Sequence, residues 1–224
     1  MEIVRPKVNF TCPKRVIISL TEPDLIFFKR TFRLDTGPKI FLSRLFLGPN
    51  QALAGPALGG PQIAILLEHL IAAGAEEFLL FGWAGALEES LPLGSFFLPE
   101  KALSAEGTSS HYGGHLLPSR RLFWEIYHGL IQTGLNFETG QVVSTDALYR
   151  ETEDFCRLYA PQARVVEMEC AAAFSVTHFR KKDLAALLFV SDRVYPWRET
   201  AGKKEFFSMR EAILPLFRYF WLSG

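Results

Sequence analysis

Three short runs constrain the fold most: Val16-Ile17-Ile18-Ser19-Leu20, Phe78-Leu79-Leu80-Phe81 and Ala185-Ala186-Leu187-Leu188-Phe189-Val190. A strand with one wet face alternates apolar and polar residues, whereas these barely alternate, which predicts strands covered on both faces. Between them lie stretches with helical spacing, Leu25 to Phe32, Gln62 to Ala73 and Glu169 to Phe179, the second closed by Gly74. Apolar strands alternating with helices predict an α/β sheet. Ile40 to Leu47 reads as one further strand, Gly48 to Pro61 as a Gly/Pro-rich loop, and Val142-Val143 as strand-like. Phe206 to Trp221 reads as one Phe-rich helix packed on the sheet.

A length of 224 residues, without an internal repeat or linker, predicts a single domain over 1–224. The hydrophobic share of 49% supplies a core and argues against disorder. Lys and Arg number 24, and so do Asp and Glu, so the chain lacks the basic footprint of a nucleic-acid binder. No apolar run reaches the ~18–20 residues of a membrane span. The first 14 residues carry Glu2, Arg5, Lys7 and Lys14 without an apolar signal core. Cys12, Cys156 and Cys170 are scattered, as buried reduced thiols of a cytoplasmic protein would be. No cofactor, metal, nucleic-acid or membrane partner is expected.

Ligands of α/β sheets gather at the carboxyl ends of strands, which selects Thr21–Asp24, Gly82–Gly85 and Ser191–Arg193. Asp192 ends an apolar strand, where partial desolvation suits a carboxyl group to donate a proton; a turn aspartate is the bland alternative. In Val166-Glu167-Met168-Glu169-Cys170 two acids meet the start of a small-residue helix, a pattern that simple capping also produces. Gly55-Pro56-Ala57-Leu58-Gly59-Gly60-Pro61 lacks the spacing of a dinucleotide fingerprint and the lysine of a P-loop. His111 and His115 are separated by two glycines and a tyrosine, a loop and not a metal-binding helix face.

Taken in order, these segments resemble the nucleoside phosphorylase and nucleosidase family, which includes purine and uridine phosphorylases and methylthioadenosine nucleosidase. Gly55 to Gln62 with Glu68-His69-Leu70 is similar to its glycine-rich loop and following helix. Phe81-Gly82-Trp83-Ala84-Gly85-Ala86-Leu87 is similar to its Gly-Thr-x-Gly-Ala strand end. Glu106-Gly107-Thr108-Ser109 with His111-Tyr112 resembles a loop of some members. Ser144 to Tyr149 resembles the segment that lays an aromatic ring on the base, Val166 to Glu169 the ribose signature, and Val190-Ser191-Asp192 the base-binding aspartate. The resemblance spans roughly residues 15–195 and implies a three-layer, phosphorylase/hydrolase-like fold with a central mixed sheet between helices.

It also implies a small nucleoside substrate, cleavage of a purine-type N-glycosidic bond, and a homo-oligomer. Glu169 would accept hydrogen bonds from the ribose hydroxyls and Met168 would pack on the sugar. Asp192 would protonate or hydrogen-bond the leaving base, and Glu167, Trp83, Ala84, Gly85, Leu148 and Val166 would complete the binding surface. The chain departs from the family where phosphate binds. The first-loop Gly-Asp-Pro-x-Arg pattern reads Thr21-Glu22-Pro23-Asp24-Leu25, and the second arginine position is Leu80, three residues before Trp83. Buried phosphate needs cationic partners, so attack by water, activated by Asp24 or by Glu22, is the first expectation. A phosphorylase using Arg33, Arg44 or a neighbouring subunit's arginine is the second. A relative that binds without turnover, its cavity plugged by Trp83, is the third.

Overall fold

The structure is a computed structural model describing residues 3–194 and 199–223. Its strands are β1 (Arg15–Ser19), β2 (Asp35–Ile40), β3 (Ser43–Leu47), β4 (Ala52–Gly55), β5 (Glu77–Ala86), β6 (Phe96–Ala105), β7 (Phe137–Thr145), β8 (Val165–Glu167), β9 (Asp183–Arg193) and β10 (Glu199–Thr200). The α-helices are α1 (Glu22–Thr31), α2 (Gly59–Ala72), α3 (Arg120–Thr133), α4 (Glu153–Tyr159), α5 (Cys170–Phe179), α6 (Lys203–Ala212) and α7 (Leu214–Leu222). The strands form one mixed sheet in the order β10-β9-β6-β7-β8-β5-β1-β4-β3-β2. Since β9 also pairs with β5, the segment β5-β9-β6-β7-β8 curls into a ring.

The expected α/β single domain with helices on both sides is what the chain builds. One face of the sheet is buried under α2 and α5 through Leu67, Leu70, Ala172 and Phe174. The other lies under α1, α3, α6 and α7 through Phe28, Ile126, Met209, Phe217 and Phe220. The runs that do not alternate are fully buried: Val16 to Ile18, Phe78 to Phe81 and Ala185 to Val190 are each 0% exposed. β1, β5 and β9 run parallel, so the ends of these apolar strands meet at one edge of the sheet.

Local readings needed three corrections. Residues 40–47 are not one strand: β2 and β3 form an antiparallel pair turning at Phe41, whose φ is 52°. The Gly/Pro-rich stretch contains β4, which pairs in parallel with β1 through Leu53 and Ala54. The C-terminal helix is two helices, because Pro215 stands in the first turn of α7 and cannot continue the hydrogen-bond ladder of α6.

Gly55 lets β4 approach the end of β1. Its φ is +139°, and a Cβ there would lie 2.1 Å from the Ser19 carbonyl oxygen. Replacing Gly55 with alanine is predicted to cost roughly 3 kcal/mol or more, because backbone at Ser19 cannot yield as a side-chain tip can. Urea unfolding measures this directly, and a midpoint within error of the unmodified chain would contradict the packing described.

Candidate functional site

The parallel strand ends and the start of α5 enclose a cavity of about 250 Å³. Its wall includes Leu20 and Thr21 after β1, Ala57 and Leu58 before α2, and Trp83, Ala84 and Gly85 on β5. Val166 and Glu167 on β8, Met168, Glu169, Ser191, Asp192 and Val194 continue it, with Leu148 and Glu151 from the segment after β7. Nine residues expected at the site are thereby brought together: Asp192, Glu169, Met168, Glu167, Trp83, Ala84, Gly85, Leu148 and Val166. Trp83 forms wall and does not plug the space.

Glu167 has a structural task as well as a place in the wall. One carboxylate oxygen accepts a hydrogen bond from Ser144 Oγ, and the other accepts from the backbone N–H of Glu169 (2.7 Å) and Cys170 (2.8 Å). The Ser144 hydroxyl also accepts from the Ala171 N–H at 2.9 Å. These contacts satisfy amides that the first turn of α5 leaves without helical partners. The side chain therefore fixes the angle at which α5 begins, and with it the placement of Glu169.

Glu169 is 5% exposed, and its Oε1 accepts from the Gly59 N–H at 2.6 Å. Burial, reinforced by the charge of Glu167, pushes its carboxyl pKa up to about 8, against the opposing Gly59 and Met168 amides. The shift favours the protonated form near neutral pH. Asp192 lies opposite, at the end of β9, where its Oδ1 accepts from Ser191 Oγ at 2.7 Å. Gly85 leaves space beside it for Val194: a Cβ at residue 85 would sit 2.5 Å from Val194 Cγ2, against an ordinary 3.5 Å from Asp192 Oδ2. The Thr21 hydroxyl oxygen is buried with no hydrogen-bond partner among the described residues.

The two first-loop acids expected to activate water do not belong to this wall, which corrects that assignment. Asp24 is 0% exposed, and its oxygens accept from Trp83 Nε1 (2.6 Å) and Arg210 Nε (2.7 Å). Glu22 is exposed in the first turn of α1, a position favoured by the helix dipole. Arg33 and Arg44, considered as phosphate ligands, are both exposed and also lie outside the wall. The His111 loop faces a separate cleft of about 1070 Å³, between α2 and the end of α5, while His115 stacks on His178 at 3.6 Å. Among the described residues no cluster of three or more His, Cys, Asp or Glu could hold a metal ion, and no helix is long and apolar enough to cross a membrane.

Sequence reasoning missed Glu151 and Arg210. Glu151 follows a short 3₁₀ turn at Leu148–Arg150 that periodicity does not reveal. Arg210 reaches the back of the site from α6, 186 positions beyond its partner Asp24. Only tertiary folding brings such a pair together.

Residues 31–212 match the profile of the Phosphorylase superfamily, and the chain belongs to that family. Over 143 residues it is 28% identical to a guanosine phosphorylase of Halorubrum lacusprofundi, the match covering 62% of this chain and 58% of that protein. Over 128 residues it is 30% identical to a uridine phosphorylase of Thermococcus kodakarensis, covering 55% of this chain and 43% of that one. The chain thus spans about half the length of these two relatives. Among solved structures, a purine nucleoside phosphorylase from Toxoplasma gondii superimposes with a TM-score of 0.84 at 16% identity, over 94% of this chain and 91% of that one. An AMP nucleosidase from Bacteroides thetaiotaomicron gives 0.75 at 22%, over 92% and 89%. Both share the fold.

The raised Glu169 pKa has a consequence for stability. A folded pKa above the unfolded one favours the protonated folded state, so this contribution is full below pH ~4.5 and is lost as pH rises through about 8. Chemical denaturation at pH 5 and pH 8.5 is predicted to show a higher midpoint at the lower pH, with a smaller difference in Glu169→Gln. An unchanged pH difference in that variant would show that Glu169 is not the group responsible.

Proposed function

We infer that the chain cleaves the N-glycosidic bond of a purine-type nucleoside by admitting water to the anomeric carbon. One observation carries this reading. Among the described residues the cavity wall holds Glu151, Glu167, Glu169 and Asp192 and no lysine or arginine, a lining that favours an uncharged nucleophile over a phosphate anion. Phosphate is doubly charged near neutral pH and needs cationic or bidentate partners once it leaves water.

Departure of the base builds positive charge on the sugar and negative charge on the ring. Glu169, beside Met168 at the α5 terminus, accepts hydrogen bonds from the sugar hydroxyls. Ionised, its carboxylate also stabilises the sugar cation. Two hydroxyl donors favour the charged form, so substrate binding draws Glu169 toward ionisation against the burial that protonates it. Asp192, at the opposite wall, delivers a proton or hydrogen bond to the departing ring. Trp83 and Met168 supply apolar surface. A volume of about 250 Å³ favours a compact nucleoside over a larger nucleotide. In this reading the chain works as a homo-oligomer, with exposed Phe41, Leu42 and Leu58 covered beside the cavity mouth.

Incubation with a panel of nucleosides, with and without inorganic phosphate, tests the reading by release of free base. The expected result is release at the same rate in both conditions, with Glu169→Gln and Asp192→Asn each lowering kcat by about 10²-fold or more. Release that depends strictly on phosphate would overturn it, as would near-normal kcat in both variants.

A further inference from the structure

Behind the cavity wall, three side chains from three distant parts of the sequence close on one another. Asp24, in the first turn of α1, has no exposed surface. Its two oxygens are divided between the Trp83 indole N–H of β5 at 2.6 Å and the Arg210 guanidinium of α6 at 2.7 Å. Arg210 is itself only 18% exposed, and Trp83 lies against Phe206, with ring centroids 4.5 Å apart. An indole N–H and a guanidinium converging on a buried point, beside the positive end of a helix, form a receptor for an oxyanion. Here the oxyanion is part of the chain.

We propose that Asp24 is a specificity-determining residue: its carboxylate fills, from within, the anion site made by Trp83 and Arg210, and so keeps free phosphate out of the region behind the strand ends. The inference deepens the reading of phosphate-independent cleavage and rests on it. It explains why the chain keeps a largely enclosed arginine near the site while the described residues of the cavity wall include no lysine or arginine. The positive charge is already matched, and a second anion would meet a carboxylate, not a vacancy. It also accounts for Trp83, which both lines the cavity and donates to Asp24, so the wall position of the ring is set by the internal anion. Taking the carboxylate away leaves two partly buried donors without that acceptor, which a free oxyanion can satisfy.

The test is phosphate binding by the full chain, read by thermal denaturation against sodium chloride of equal ionic strength. Asp24→Ala is expected to gain about 5 °C in Tm at a phosphate concentration a hundredfold above its Kd. The unmodified chain and the double variant Asp24→Ala/Arg210→Met are expected to gain nothing. A folded Asp24→Ala that ignores phosphate would overturn the proposal, as would a response that survives loss of Arg210. Titrating the unmodified chain while following tryptophan fluorescence tests the same point without a variant, and a saturable phosphate response there would also overturn it. The two readings fail separately. Phosphate-dependent base release by the unmodified chain removes the proposed reaction, whereas a phosphate-blind Asp24→Ala removes only the role given to Asp24.

Discussion

Burying two carboxyl groups side by side at the start of α5 imposes the main constraint on this cavity. Taking a charge out of water is costly unless hydrogen bonds or a counter-charge replace the lost solvent. The fold meets that cost unequally. Glu167 receives Ser144 and two backbone amides, which oppose the upward push that burial gives its carboxyl pKa. Glu169 has the Gly59 amide against its burial and the field of Glu167, and the balance pushes its pKa up to about 8. One acid orients the helix, and the other is left poised toward the cavity.

The rest of the architecture serves that placement. Parallel β1, β5 and β9 end together, so Thr21, Trp83 to Gly85 and Asp192 converge without long connecting loops. Gly55 brings β4 and the loop to α2 against β1, which sets the Gly59 amide where Glu169 can accept from it. On the opposite face, Asp24 takes up Arg210 and the Trp83 indole and removes both from contact with solvent anions. In the proposed reading, acids facing the cavity and a matched ion pair behind it favour water over phosphate as the attacking group.

Much of this was legible in the sequence because it rests on burial. Runs such as Phe78 to Phe81 have no polar residue to place in water, so their strand character and two-sided covering follow from composition alone. Glu169 and Asp192 were legible because each ends or begins an element whose type was clear. Asp24 was misplaced because sequence position gives the loop but not the direction of the side chain. A hydrogen bond to an indole 59 positions away and an ion pair 186 positions away turned it from the cavity. The β2–β3 turn was missed because Phe41 takes a left-handed backbone conformation with no glycine or asparagine to mark it.

The most direct measurement of the central claim is the identity of the sugar product formed in ¹⁸O-labelled water containing inorganic phosphate. The account predicts a free sugar that carries one solvent oxygen on its anomeric carbon, seen by mass spectrometry. A sugar 1-phosphate without that label would contradict it, because phosphate and not water would then have attacked the anomeric carbon.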